Sequence, residues 1–122
     1  MGVAATVASR DLVARPWARA VWCALGLLAG AGVFVPALRT VLWVTSFGGS
    51  GLLCLVNVVR SRRFHCMYTG PIYLAGATLT VLRAAGVIDV SWAWIGGAVF
   101  VGVVGALAWE RRRGPSSAPR CC

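Results

Sequence analysis

The sequence predicts an all-α integral membrane bundle of four transmembrane helices, or three if its weakest apolar stretch does not cross, with both termini cytoplasmic. Three observations carry that expectation. Hydrophobic residues fill 59% of the 122 positions and only three side chains are acidic, an apolar load beyond what a soluble domain of this length buries. The apolar residues fall in stretches close to the about 20 residues that a helix needs to cross the hydrocarbon layer. The twelve basic residues are all arginine, and they stand at the edges of those stretches, where they orient helices and meet anionic head groups. That placement argues against a nucleic-acid partner, which the net charge of +9 would suggest for a soluble protein.

Residues 1–16 read as a short cytoplasmic lead carrying Arg10, Asp11 and Arg15, and 17–110 as the transmembrane domain. A first span is expected from Ala20 to Leu38, bracketed by Arg19 and Arg39, with Trp17 and Trp22 at one interface and Pro36 in the last turn, where loss of a helix bond is best tolerated. A secretory signal would also place basic residues before an apolar core. This core is longer than such a signal, and no small-x-small cleavage site follows it.

The second span, Val41 to Val59, is separated from the first by Arg39 and Thr40 alone, so the two must form a tight hairpin. Gly48, Gly49, Ser50 and Gly51 would weaken a helix in water, but in lipid small residues let backbones approach closely. Asn57 is expected to face protein.

Arg60 to Cys66 reads as a strongly basic loop. Thr69 then looks like an N-cap and Pro71 like a first-turn residue, starting a third span from Gly70 to Val87. This is the weakest span, because Arg83 must snorkel to the interface. The fourth runs from Val90 to Trp109, entered through Asp89, Ser91, Trp92 and Trp94 and closed by Glu110 and three arginines. Ala98, Gly102 and Ala106 recur every four residues, as do Gly26 and Gly30, offering small-residue seams to a neighbouring helix, in this chain or in a homo- or hetero-oligomer. Residues 111–122 read as a basic, flexible cytoplasmic tail.

Ten arginines fall in the lead, the second connection and the tail, against Arg39 and Arg83 in the other two connections. The positive-inside rule then puts both termini in the cytoplasm. Lysine-free, Ala/Gly/Val-rich usage suggests a bacterial cell membrane as the location.

On this topology all five cysteines lie in the cytoplasmic half or beyond it. Cys23 sits about one turn inside the first span, and Cys54 about 7.5 Å, at 1.5 Å per residue, inside the second. Cys66 is in the basic loop, and Cys121 and Cys122 end the tail. Cytoplasmic thiols stay reduced, which leaves them available to soft metals such as Hg(II) and Cu(I), ions that prefer sulfur and accept two ligands where zinc takes four. His65 and Cys66 beside Arg62 and Arg63 form one candidate site, since neighbouring positive charge favours thiolate. Cys121 with Cys122 forms another. Against these stand plainer readings: a cysteine in an apolar helix serves as a small hydrophobe, and a histidine at an interface serves as a polar anchor. The start Met1–Thr6 fits a myristoylation pattern and the terminal Cys-Cys some prenylation sites, but those machineries are eukaryotic.

Length, apolar spans and the vicinal pair Cys121–Cys122 together resemble the small bacterial mercuric-ion transport proteins of mercury-resistance operons. That resemblance implies passage of Hg(II) across the membrane by paired cysteines toward a cytoplasmic mercuric reductase; on the transport reading, Cys121 and Cys122 are the expected exit site, Cys66 with His65 an intermediate, and Cys54 or Cys23 the intramembrane step. Family members commonly carry a vicinal pair within the first span, where this chain has only Cys23. The expected function is thiolate-exchange transport of a soft metal ion into the cytoplasm, with no resident cofactor. The alternative is a noncatalytic membrane subunit that packs on a larger partner through its Gly/Ala seams. No enzymatic activity is expected: there is no Cys-x-x-Cys for a thiol oxidoreductase, and Asp89, Glu110 and His65 lie at predicted edges without the paired geometry of a hydrolase.

Overall fold

The computed structural model describes residues 15–61 and 64–113, with positions 61, 64 and 65 as backbone only. The expected lead up to Arg15 and the tail beyond Arg113, with Cys121 and Cys122, lie outside the described residues. Among the described residues four α-helices make up the fold: α1 (Pro16–Phe34), α2 (Arg39–Ser61), α3 (Phe64–Ala84) and α4 (Trp92–Arg113), with a 3-10 turn (Pro36–Leu38) between the first two. The molecule is an all-α membrane bundle. Three stretches, Pro16–Phe34, Pro36–Arg60 and Trp92–Arg113, are long and apolar enough to cross a bilayer. Helix α3 has 21 residues, about 31 Å at 1.5 Å per residue, which matches the hydrocarbon thickness, but it is not among those three apolar stretches.

The hairpin between α1 and α2 follows from Pro36. Proline carries no N–H, so the Gly32 carbonyl four residues earlier loses its helical donor, and α1 ends at Phe34 instead of continuing through Pro36 to the expected Leu38. Arg39, the first residue of α2, fills the vacancy: its Nε donates to Gly32 O at 2.8 Å and its Nη2 to Val33 O at 3.0 Å. A cation on carbonyls at a helix C-terminus is also favoured by the helix dipole. Lower in the hairpin, Trp43 Nε1 donates to Ala29 O at 3.1 Å and Ser46 Oγ to Leu25 O at 2.7 Å. The Trp43 indole lies so close to Gly32 that any Cβ there would overlap it.

Helices α2 and α3 form the centre. Trp43, Ser46, Phe47, Ser50, Gly51, Cys54 and Asn57 are the buried positions of α2, and Cys66, Thr69, Gly70, Gly76, Ala77 and Thr80 those of α3. Both sets recur at three- and four-residue intervals, so each helix turns one stripe inward. Apart from Trp43 and Phe47, which pack with Ala77, Ile95 and Val99, the stripes are small or polar, whereas Leu52, Val56, Val59, Leu79 and Val81 face outward. In lipid this is the favoured partition, because outside the bundle an apolar side chain costs nothing and a hydroxyl or amide has no partner. A Cβ at Gly51 would sit 2.8 Å from Leu74 and 3.2 Å from the Gly70 carbonyl, so α2 and α3 cross at near backbone contact.

Helix α3 begins at Phe64, one and a half turns before the expected Gly70, so Phe64–Cys66, expected in a seven-residue loop, are helical. Thr69 and Pro71 therefore lie inside the helix, and Thr69 caps nothing. The helix ends at Ala84, where Gly86 adopts φ +73°. The bonds Gly86 N–H to Arg83 O (3.1 Å) and Val87 N–H to Leu82 O (3.0 Å) close it as a Schellman motif. Arg83 thus sits in the last turn and pairs with Asp89 at 3.4 Å. Ser91 starts α4, its Oγ accepting the Trp94 N–H at 3.4 Å, and α4 packs back along α3 through Gly76 against Val99 and Gly102 against Ile72.

Successive helices run antiparallel. The start of α1, the end of α2, the start of α3 and the end of α4 share one end of the bundle, with Arg15, Arg19, Arg60 and Arg111–Arg113. Arg39, Arg83 and Asp89 share the other. Exposed Trp17 and Trp109 mark the first end and exposed Trp94 the second, the positions expected of interfacial aromatic belts.

Candidate functional site

Because α2 and α3 are antiparallel and cross at Gly51 and Gly70, residues three apart on one helix face residues three apart on the other. Cys54 and Asn57 occupy such positions on α2, and Cys66 and Thr69 on α3. All four are enclosed: Cys54 is 1% exposed, Cys66 0%, Asn57 1% and Thr69 3%. Cys54 Sγ and Thr69 Oγ1 are hydrogen-bonded at 3.3 Å, and Asn57 Nδ2 donates to Cys66 Sγ at 3.4 Å. The two thiols are also within hydrogen-bonding reach of each other. Gly70 makes this closeness possible, since a Cβ there would stand 3.3 Å from the Cys54 Cβ.

Cys66, expected in a loop, is therefore a helical core residue, drawn in because α3 starts early. Neither thiol is oxidised, and both are buried. Each sulfur has a neutral polar partner, Thr69 or Asn57, of the kind that stabilises a thiolate by hydrogen bonding without adding charge. Among the described residues no three His, Cys, Asp or Glu side chains converge. Two thiols alone suit a soft ion that accepts two sulfurs and fall short of the four ligands of a structural zinc site.

The remaining candidates divide. Cys23 is exposed on the outer face of α1, so the structure does not bring it to Cys54. His65 lies in the first turn of α3, with its side chain outside the described residues, as are Cys121 and Cys122. Asn57 and Thr69 are the residues that sequence reasoning left out of the site. The signal was present: Cys54 to Asn57 and Cys66 to Thr69 share one spacing in two neighbouring helices, each joining a thiol to a hydrogen-bonding side chain on the same face.

Helix α4 does not complete the bundle into a closed ring. The extensive interfaces are α1 with α2, α2 with α3, and α3 with α4, and between α1 and α4 lies a cavity of about 710 Å³. Trp43 and Phe47 (ring centroids 5.6 Å apart) and Tyr73 form its floor, with Trp92 edge-on to Trp43 at 5.9 Å. This space is apolar and lies toward the end away from most arginines, so it is separate from the thiol pair.

Comparison with family models, with curated proteins and with solved structures gave no match for this chain.

Proposed function

We propose that this protein transports a soft metal ion, Hg(II), into the cytoplasm of a bacterial cell, and that Cys54 and Cys66 form its intramembrane station. The supporting observation is the enclosed pair of thiols on two facing helices, each hydrogen-bonded to a neutral side chain. Binding forms two S–Hg bonds and releases two thiol protons, giving an uncharged Hg(SR)₂ unit. That neutrality matters in a bilayer, where burying net charge is costly. Cu(I) or Ag(I) on the same two thiolates would leave a net negative charge, so charge favours the divalent ion.

Movement follows by exchange. An incoming thiolate attacks the bound ion, one new S–Hg bond forms, one old bond breaks, and the departing sulfur takes up a proton. Cys66 lies two residues into α3, at the end of the bundle that the arginine distribution assigns to the cytoplasm. Cys121 and Cys122 would receive the ion there and offer it to a soluble dithiol acceptor such as a mercuric reductase.

The test is uptake of radioactive Hg(II) by cells expressing the chain, compared with Cys54→Ser and Cys66→Ser variants present at equal membrane levels. Each variant should fall to the uptake of empty cells. Wild-type uptake in both variants would remove the station from the mechanism, and wild-type cells no better than empty ones would remove transport altogether. The second reading, a membrane subunit that docks a partner through small-residue seams, is favoured by Gly26 and Gly30, which have open space around them. It predicts full function after replacement of every cysteine.

A further inference from the structure

We propose that the groove between α1 and α4 is a binding site for one anionic phospholipid of the leaflet at the Arg39 end, with its phosphate on Arg39 and its acyl chain against Trp43 and Phe47. The site is independent of the thiol pair. Gly26 and Gly30 of α1 and Gly97 of α4 form its walls, and a Cβ added at any of them would meet nothing within 4 Å, so the groove is shaped by missing side chains. Its outer lips, Val33 and Phe100, are 56% and 69% exposed. It therefore opens sideways, where a bilayer supplies alkyl chains and not water. A volume of about 710 Å³ lies within the range of small-molecule sites.

The mouth supplies the charge. Arg39 is held by the Gly32 and Val33 carbonyls and lies 5.8 Å and 5.9 Å from the Trp43 and Trp92 ring centroids. Those two bonds use two of its five N–H groups, and among the described residues no acceptor takes the rest. Arg83 lies 5.9 Å from the same Trp92 ring, and its buried Nε has no hydrogen-bond partner among the described residues. Among the described residues, two guanidinium groups thus share this end with one carboxylate, Asp89, which pairs with Arg83. Glu110 belongs to the opposite end of α4. A phosphodiester matches what is missing, since it brings one negative charge and acceptor oxygens suited to a guanidinium fork.

The experiment is native mass spectrometry of the full chain released from nanodiscs of phosphatidylcholine with phosphatidylglycerol. Wild type should retain one phosphatidylglycerol in preference to phosphatidylcholine. Arg39→Gln should lower that retention about tenfold, the size of a lost charge-assisted contact. Because Arg39 also closes α1, Gly97→Leu provides a second variant: it fills the groove without touching the hairpin and should lower retention of both lipids. Equal retention of the two lipids by wild type would overturn the proposal. So would unchanged retention in Gly97→Leu, or a lipid-free dimer that this substitution disrupts.

Discussion

Asn57 illustrates how the bilayer changes the worth of one residue. A primary amide facing lipid would cost several kcal/mol, so Asn57 turns inward and donates to the Cys66 sulfur at 3.4 Å. Replacement by leucine keeps the volume approximately and removes the donor. Net stability should fall by only about 1 kcal/mol, as interhelical hydrogen bonds in membranes are individually modest. Affinity for Hg(II), measured by competition with a dithiol chelator, should fall about tenfold, because the hydrogen bond supports the thiolate more than the thiol. Cys23→Ser, at an exposed position on another helix, should leave that affinity unchanged. An Asn57→Leu variant with wild-type affinity would show that the amide serves folding alone. At this scale the sequence was partly legible. It marked Cys54 and Cys66 as candidates and Asn57 as inward-facing, but nothing in a linear pattern gives the register that sets Asn57 against Cys66 and Cys54 against Thr69.

Among the elements, the α2–α3 crossing governs the site. A Cβ at Gly51 would press on Leu74 and the Gly70 carbonyl, and backbone cannot yield as a side chain can. Gly51→Val should destabilise the bundle by about 1–3 kcal/mol, the usual cost of overpacking, and separate the two thiols. Gly26→Val, at a position with open space, should cost much less, since any helix in lipid tolerates valine well. Steric-trapping measurements of unfolding in bicelles would compare them, and equal losses would contradict the close crossing. The existence and order of the helices could be read from hydropathy and arginine edges. Their ends could not, because each depends on backbone chemistry at one residue. Pro36 ended α1 early by removing a donor, and Gly86 ended α3 by accepting a left-handed conformation. The stretch from Arg60 to Cys66 read as a loop because its charges suggest solvent, yet helix α2 runs to Ser61 and α3 resumes at Phe64.

For the molecule as a whole, the bilayer inverts the usual partition. Small and polar side chains line the α2–α3 centre, large apolar ones face outward, and arginines gather at the ends. The composition made this legible at once, since so apolar a chain with three carboxylates has few other ways to satisfy its backbone. The groove between α1 and α4 was not legible, because Gly26 and Gly30 in sequence announce a packing seam and only the fold shows that none of the described helices fills it. The function proposed here rests on Cys54 and Cys66 acting together as two ligands. Mercury-edge X-ray absorption on the purified chain with Cys23, Cys121 and Cys122 changed to serine, loaded with one equivalent of Hg(II), reads that directly. Two sulfur neighbours in linear coordination, lost on further change of either Cys54 or Cys66, is the predicted result; a single sulfur neighbour, or a spectrum unaltered by those changes, would contradict it.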